Sequence, residues 1–168
     1  MDVFDAVTTV LAVRQFKPDP VPDDLLRRVV EAGRLTGSAS NRQPWQFVAV
    51  TDPATIKELG TLVTTGPYIA QAPAAIVVAT ERSSWGLSDA SRAIQSMLLT
   101  AWAEGVGSNW AGGPGMDQVK PLLGIPNELD VVAVLPLGYP ATPSGRGRKN
   151  RKPLEEVAHR ERFGEPFQ

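Results

Sequence analysis

Ser38-Ala39-Ser40-Asn41-Arg42-Gln43-Pro44-Trp45, continued by Gln46-Phe47-Val48-Ala49-Val50-Thr51, is the stretch on which the reading of this chain turns. Upstream, Pro22 opens a segment with Asp23 and Asp24 in its first turn and Leu25, Leu26, Val29 and Val30 on one face. That is the pattern of an amphipathic helix, and it runs out near Thr36-Gly37. Downstream, residues 45–51 are short and β-prone, which predicts a buried strand. The loop between them places Ser38, Ser40, Asn41 and Gln43, four hydrogen-bonding side chains, where a helix gives way to a strand. Such a loop can read the edge of a polar heteroaromatic ring or hold polyol hydroxyls. The same residues also suit a plain helix C-cap and turn, with Pro44 setting the entry to the strand.

Outward from this stretch, Val3, Ala6, Val7, Val10 and Leu11 recur at helical spacing, predicting a first core helix that ends before Phe16-Lys17-Pro18. Asp52-Pro53 opens a third helix through Leu62, and Ala74-Ala75-Ile76-Val77-Val78-Ala79 reads as a fully buried strand. A long helix over about 88–104 follows, with Ile94, Met97, Leu98 and Ala101 on its apolar face and Gly105 and Gly107 ending it. Beyond the glycine-rich residues 105–115, a short helix over about 118–123 accommodates Pro121 only in its first turn, and Val131-Val132-Ala133-Val134-Leu135 is a third strand. Two helices precede the first strand, which argues against a Rossmann start. Neither Gly105-Val106-Gly107 nor Gly145-Arg146-Gly147 completes a dinucleotide fingerprint. From Gly138 the composition turns to Pro, Gly, Ser and basic residues, so about 139–168 reads as an arm. The expectation is one mixed α/β domain, of α+β class, over residues 1–168.

Composition narrows the chemistry. With 168 residues, 42% of them hydrophobic, the chain can bury a core without staples. Its formal net charge is −1, so no overall field draws it to nucleic acid or anionic lipid. There is no cysteine and one histidine, His159, read as an exposed helix residue. Thiolate chemistry and multi-histidine metal sites are therefore out, and an enzyme built from this chain needs a bound cofactor to carry the reaction. Asp2 and Asp5 sit where a signal peptide needs basic residues, and no segment approaches a membrane span, so a cytoplasmic protein is expected. Trp45, Phe47, Trp102 and Trp110 sit at strand and helix spacings that favour core or interface packing.

The segment 38–50 resembles the signature of the FMN-dependent nitroreductase family, in which Asn-x-Gln-Pro-Trp follows a serine-rich helix end. Three further blocks fall in that family's order. Ala12-Val13-Arg14-Gln15-Phe16 resembles the end of its N-terminal phosphate motif, Gly105-Val106-Gly107-Ser108-Asn109-Trp110-Ala111-Gly112-Gly113 its flavin-facing glycine loop, and Lys149-Asn150-Arg151-Lys152-Pro153-Leu154-Glu155-Glu156-Val157 its C-terminal basic motif. The resemblance covers nearly the whole chain and implies a central mixed β-sheet flanked by helices, with a C-terminal arm reaching the partner subunit of a homodimer. It implies FMN as cofactor, with Arg14, Lys149 and Arg151 at its phosphate or ribityl chain. Ser38 and Asn41 would reach the flavin from the partner subunit, Ala39 is a further cofactor-binding residue, and a backbone N–H of Gly112 or Gly113 would face the flavin N5. It further implies hydride transfer from NAD(P)H to flavin and on to a nitroaromatic, quinone or similar acceptor. No residue is expected to be catalytic in its own right, and neither metal nor nucleic acid is expected as a ligand. Read without the family, the basic run Arg146, Arg148, Lys149, Arg151, Lys152 is equally a solvated arm or a partner-binding tail.

The chain departs from the family in two places. Where relatives carry Arg-x-Ser-x-Arg-x-Phe, it has Val10-Leu11-Ala12-Val13-Arg14-Gln15-Phe16. A hydrogen bond to a charged group is worth roughly 1.5–3 kcal/mol, so losing the first Arg alone implies FMN binding weaker by about one to two powers of ten. The chain is also short between Ile56 and Ser88, where longer relatives build substrate-facing helices. These departures keep open a non-enzymatic flavin-sequestering protein and a member using a deazaflavin.

Overall fold

Ala74–Glu81, the continuously apolar run, forms strand β2 at the heart of the sheet, with residues 74–80 all buried. The computed structural model describes residues 1–142 and 149–167. β2 lies between β1, Trp45–Val50, and β4, Leu129–Gly138, and pairs with both in antiparallel fashion. The two-residue β3, Gly107–Ser108, closes the order β1-β2-β4-β3. Among the described residues all strand pairings are antiparallel, and the parallel contribution is one isolated bridge, Ala12 to Ser108. The α+β class holds, with helices on both faces.

Alternation along β2 divides the core. Ala74, Ile76 and Val78 face α2, Asp23–Arg34, and α4, Gly86–Ala103, packing with Leu26, Val29, Ile94, Met97 and Ala101. Ala75, Val77 and Ala79 face α3, Pro53–Leu62, with Ile56, Leu59, Ile69 and Val134. A bulge interrupts the β2–β4 ladder, because Val78 opposes Ala133 while Ala79 opposes Val131, leaving Val132 over. The helix signals behave as expected. Asp52 caps α3 by accepting the Thr55 N–H at 2.8 Å, and Pro121 falls in the first turn of α5, Val119–Leu123. Gly105, at φ 80°, ends α4 in a Schellman turn closed by Val106 N–H to Ala101 O and Gly105 N–H to Trp102 O.

Four expectations are corrected. β1 is an outer strand with Gln46 and Ala49 exposed, so it is half-buried rather than buried. Helix α1 is only Val3–Thr9; Val10 leaves the helix in an extended conformation (ψ 130°), and of the expected apolar face only Ala6 is buried, while Val3 and Phe4 are 78% and 76% exposed. Gly107 does not end a helix but lies in β3. His159 is not helical: it is half-buried in a bridge to Pro166, its ring 4.5 Å from that of Phe163.

Candidate functional site

Two clusters carry the polar groups singled out in the sequence, one at each end of α4. At its C-terminal end, Val13 N–H donates to Ser108 O at 2.9 Å and fixes residues 11–15 alongside β3. The contact is close because residue 107 is glycine; a Cβ there would lie 2.5 Å from Val13 Cγ2. Arg14, next in the chain, is exposed with its guanidinium 5.8 Å from the centre of the Tyr68 ring. Tyr68 in turn accepts a 2.6 Å hydrogen bond from Asn109 Nδ2, and Thr65 Oγ1 donates to Gly112 O at 3.0 Å. Leu11, Ala12, Val13, Arg14 and Gln15 line an open cavity of about 330 Å³ closed on the other side by Pro140 and Thr142.

The glycine loop then runs along β4, Ala111 opposite Val134. A Cβ on Gly112 would meet Trp110 Nε1 at 2.8 Å and Val132 O at 2.9 Å, and Gly113 has a φ of 137°. Both positions require glycine for reasons internal to the chain: crowding against the bulged strand at one and backbone conformation at the other.

Lys149 approaches this end from the C-terminal segment, donating from Nζ to Val7 O at 2.6 Å over the last turn of α1. Burial and, next, the neighbouring Arg151 guanidinium hold its pKa below the ordinary lysine value. Arg151 is exposed and donates to Asn150 O. Among the described residues no carboxylate lies within ion-pair distance of Arg14, Lys149 or Arg151. Arg146 and Arg148 of the basic run, and the Gly145-Arg146-Gly147 motif, lie outside the described residues.

At the N-terminal end of α4 sits the 38–44 loop. Ser38 Oγ accepts the Gln43 N–H at 2.9 Å, and Gln43 Nε2 donates to Asn41 O at 3.1 Å. Ser40, Asn41 and Gln43 have φ of 51°, 54° and 52°, left-handed values that non-glycine residues seldom adopt. Ala39 N–H points to the carboxylate of Asp89 in the first turn of α4. The loop is anchored at this end, and the Arg14 segment at the other. Asp89 and Ala101 are about 18 Å apart along the axis of α4 at 1.5 Å per residue. The clusters also flank opposite edges of the sheet, β1 and β3, about 14 Å apart at ~4.8 Å per strand.

The chain and its fold match known proteins. A family model described as Nitroreductase family matches residues 11–81 and 62–139. A protein of Archaeoglobus fulgidus, provisionally named NADH dehydrogenase/NAD(P)H nitroreductase, is 32% identical over 145 residues, covering 80% of this chain and 83% of that one. The chain belongs to the nitroreductase family of oxidoreductases. A solved structure from Bacteroides thetaiotaomicron, with the same provisional name, superposes with a TM-score of 0.88 at 26% identity over 96% of this chain and 98% of that one. An FMN-dependent nitroreductase from Clostridium difficile R20291 superposes with a TM-score of 0.87 at 21% identity, over 95% and 99% of the two chains, and attests the fold.

Within this nitroreductase fold, Arg14, Gly112 and Gly113 gather at the β3 edge, and Lys149 reaches α1, whose last turn leads into the Arg14 segment. Ser38, Ala39 and Asn41 do not join them within one chain. Three of the four aromatic residues behave as packing groups: Trp45 is buried, its ring 6.2 Å from that of Phe47, and Trp102 Nε1 donates to Thr9 Oγ1 at 2.9 Å, whereas Trp110 is 38% exposed. Sequence reasoning included Asn109 in the glycine loop without giving it a partner, and missed Tyr68, Thr65 and Asp89. Tyr68 and Asn109 are 41 residues apart, so no local pattern joins them; Asp89 was visible only as one acid among 18. Among the described residues no cluster of His, Cys, Asp or Glu could hold a metal, and no helix is long and apolar enough to cross a membrane.

Proposed function

We propose that this nitroreductase-family oxidoreductase works as a homodimer binding FMN between subunits, oxidising NAD(P)H and reducing a nitroaromatic, quinone or similar small acceptor. The observation that carries this reading is the separation of the two clusters. One chain keeps its Ser38–Asn41 groups and its Arg14 and glycine-loop groups at opposite ends of α4 and opposite edges of the sheet, and a symmetric partner is what could set one chain's loop against the other's cations.

The donor set suits FMN. Arg14, Lys149 and Arg151 are cations without a carboxylate partner among the described residues, as a phosphate dianion requires, and the 11–15 cavity opens beside Arg14. In this reading they hold the phosphate end. Ser38 and Asn41 of the other subunit orient the flavin edge, and the glycine-loop backbone leaves one face open to nicotinamide and acceptor in turn. Bound FMN would supply the two-electron redox chemistry that a chain with one histidine and no cysteine lacks. The names of the Archaeoglobus relative and the Clostridium structure point the same way.

Stopped-flow mixing of flavin-loaded protein with NADH and, separately, NADPH tests the reading. Bleaching of the oxidised flavin band with at least one of them is expected, and none with either would overturn it. Val10 and Ala12, in place of phosphate-binding residues, favour a second reading in which the protein sequesters flavin without turnover. Steady multiple turnovers with any acceptor would dismiss that alternative.

A further inference from the structure

The 38–44 loop pays for three left-handed non-glycine residues, Ser40, Asn41 and Gln43, with hydrogen bonds that come largely from itself. A loop of this kind persists only when something outside it over-determines its shape. Two contacts come from outside: at the strand end Pro44 O accepts the Glu81 N–H at 3.0 Å, and at the helix end, beside the left-handed residues, stands Asp89. Its side chain is the one carboxylate among the described buried residues, at 2% exposure, and both oxygens lie 3.1 Å from Ala39 N. Arg92, a turn later, stands 3.7 Å from Oδ1 and packs its Nη2 against Gly37, at the loop's entry. Burying a carboxylate is costly unless it is hydrogen-bonded and paired, and here the Ala39 N–H and Arg92 supply those partners. Its position is explained by what it holds.

We infer that Asp89 is a positioning residue of the cofactor loop: by accepting the Ala39 N–H from within the protein, it fixes the left-handed turn that presents the exposed Asn41, and Ser38, whose Oγ also holds the Gln43 N–H, to the flavin of the partner subunit. The inference rests on the flavin reading for its second half, and on the loop geometry alone for its first. Asp89 touches neither cofactor nor substrate; it acts through Ala39.

The test uses Asp89→Ala and Asp89→Asn in the full chain, with amide exchange at Ala39 followed by NMR in flavin-free protein and FMN affinity measured by flavin fluorescence. Asp89→Ala should speed exchange at Ala39 and weaken FMN binding by about tenfold or more, the loss of a charge-assisted hydrogen bond. Asp89→Asn retains an oxygen for the Ala39 N–H and should restore affinity to within about threefold, with exchange at core amides such as Ile94 unmoved in both. If Asp89→Ala does not fold, Ala39→Pro removes the donor instead and should weaken FMN binding similarly while speeding exchange at Gln43. Unchanged exchange overturns the inference whatever the flavin result, and faster exchange with unchanged FMN affinity overturns its cofactor half. A wild-type protein that takes up no FMN overturns the flavin reading instead, and exchange at Ala39 still decides whether Asp89 holds the loop.

Discussion

Arg14 points into solvent across the Tyr68 ring, and Lys149 is held over α1 with its proton affinity lowered by burial and by Arg151. Both are arrangements that an arriving dianion would relieve. The double variant Lys149→Ala with Arg151→Ala should therefore lower FMN affinity by roughly 100-fold, at about tenfold per charge-assisted contact, in a fluorescence titration. A merely solvated arm would leave it unchanged. Ala12 is the complementary case. Its side chain is exposed while its backbone bridges Ser108, so Ala12→Ser adds a hydroxyl without disturbing packing. It should tighten FMN by up to about tenfold, and a titration showing weaker binding would contradict the placement of this segment at the phosphate end.

The short segment that carries Arg14 is placed by its fit to β3 rather than by any helix or strand of its own. Gly107→Ala would force its Cβ against Val13, a stiff β-branched side chain, and should cost about 1–3 kcal/mol of stability. The same substitution should weaken FMN binding by displacing Arg14, so urea denaturation and flavin titration should move together. Helix α4 spans both clusters and is pinned by Ile94, which is 0% exposed in the sheet-facing core. Ile94→Ala should destabilise by about 2–5 kcal/mol and lower the thermal midpoint accordingly, while leaving the affinity of the folded fraction for FMN within about twofold.

At the scale of the whole molecule, α1 turns Val3, Phe4 and Val7 outward, and Leu154, Val157 and Phe163 of the C-terminal segment are exposed with them. A water-facing apolar helix this close to the Lys149 contact suits a subunit interface better than solvent. On the proposed homodimer, Phe4→Asp places a charge on that face and should shift the protein from dimer to monomer in gel filtration at micromolar concentration. FMN binding should fall in parallel, because the proposed split site would then have no complete form. A Phe4→Asp protein that stays dimeric would remove α1 from the proposed interface.

Much of this was legible from residue order. Capping at Asp52-Pro53, the apolar run 74–79 and the glycine at 105 act through near neighbours, so local chemistry placed α3, β2 and the end of α4. The 38–45 stretch likewise announced a loop between helix and strand, and its order with Arg14, the glycine loop and Lys149 pointed to the family. What sequence could not convey was which apolar faces find a partner within the chain. Val3 and Val7 have helical spacing yet lie exposed, and β1 looks buried by composition yet sits at the sheet's edge, since burial depends on what packs opposite. Only the tertiary structure showed that Asp89, 50 residues from Ala39, grips the loop, and that α4 holds the two clusters apart. Residue types alone fixed the chemistry available to this protein, and packing across long sequence separations decided where it is presented.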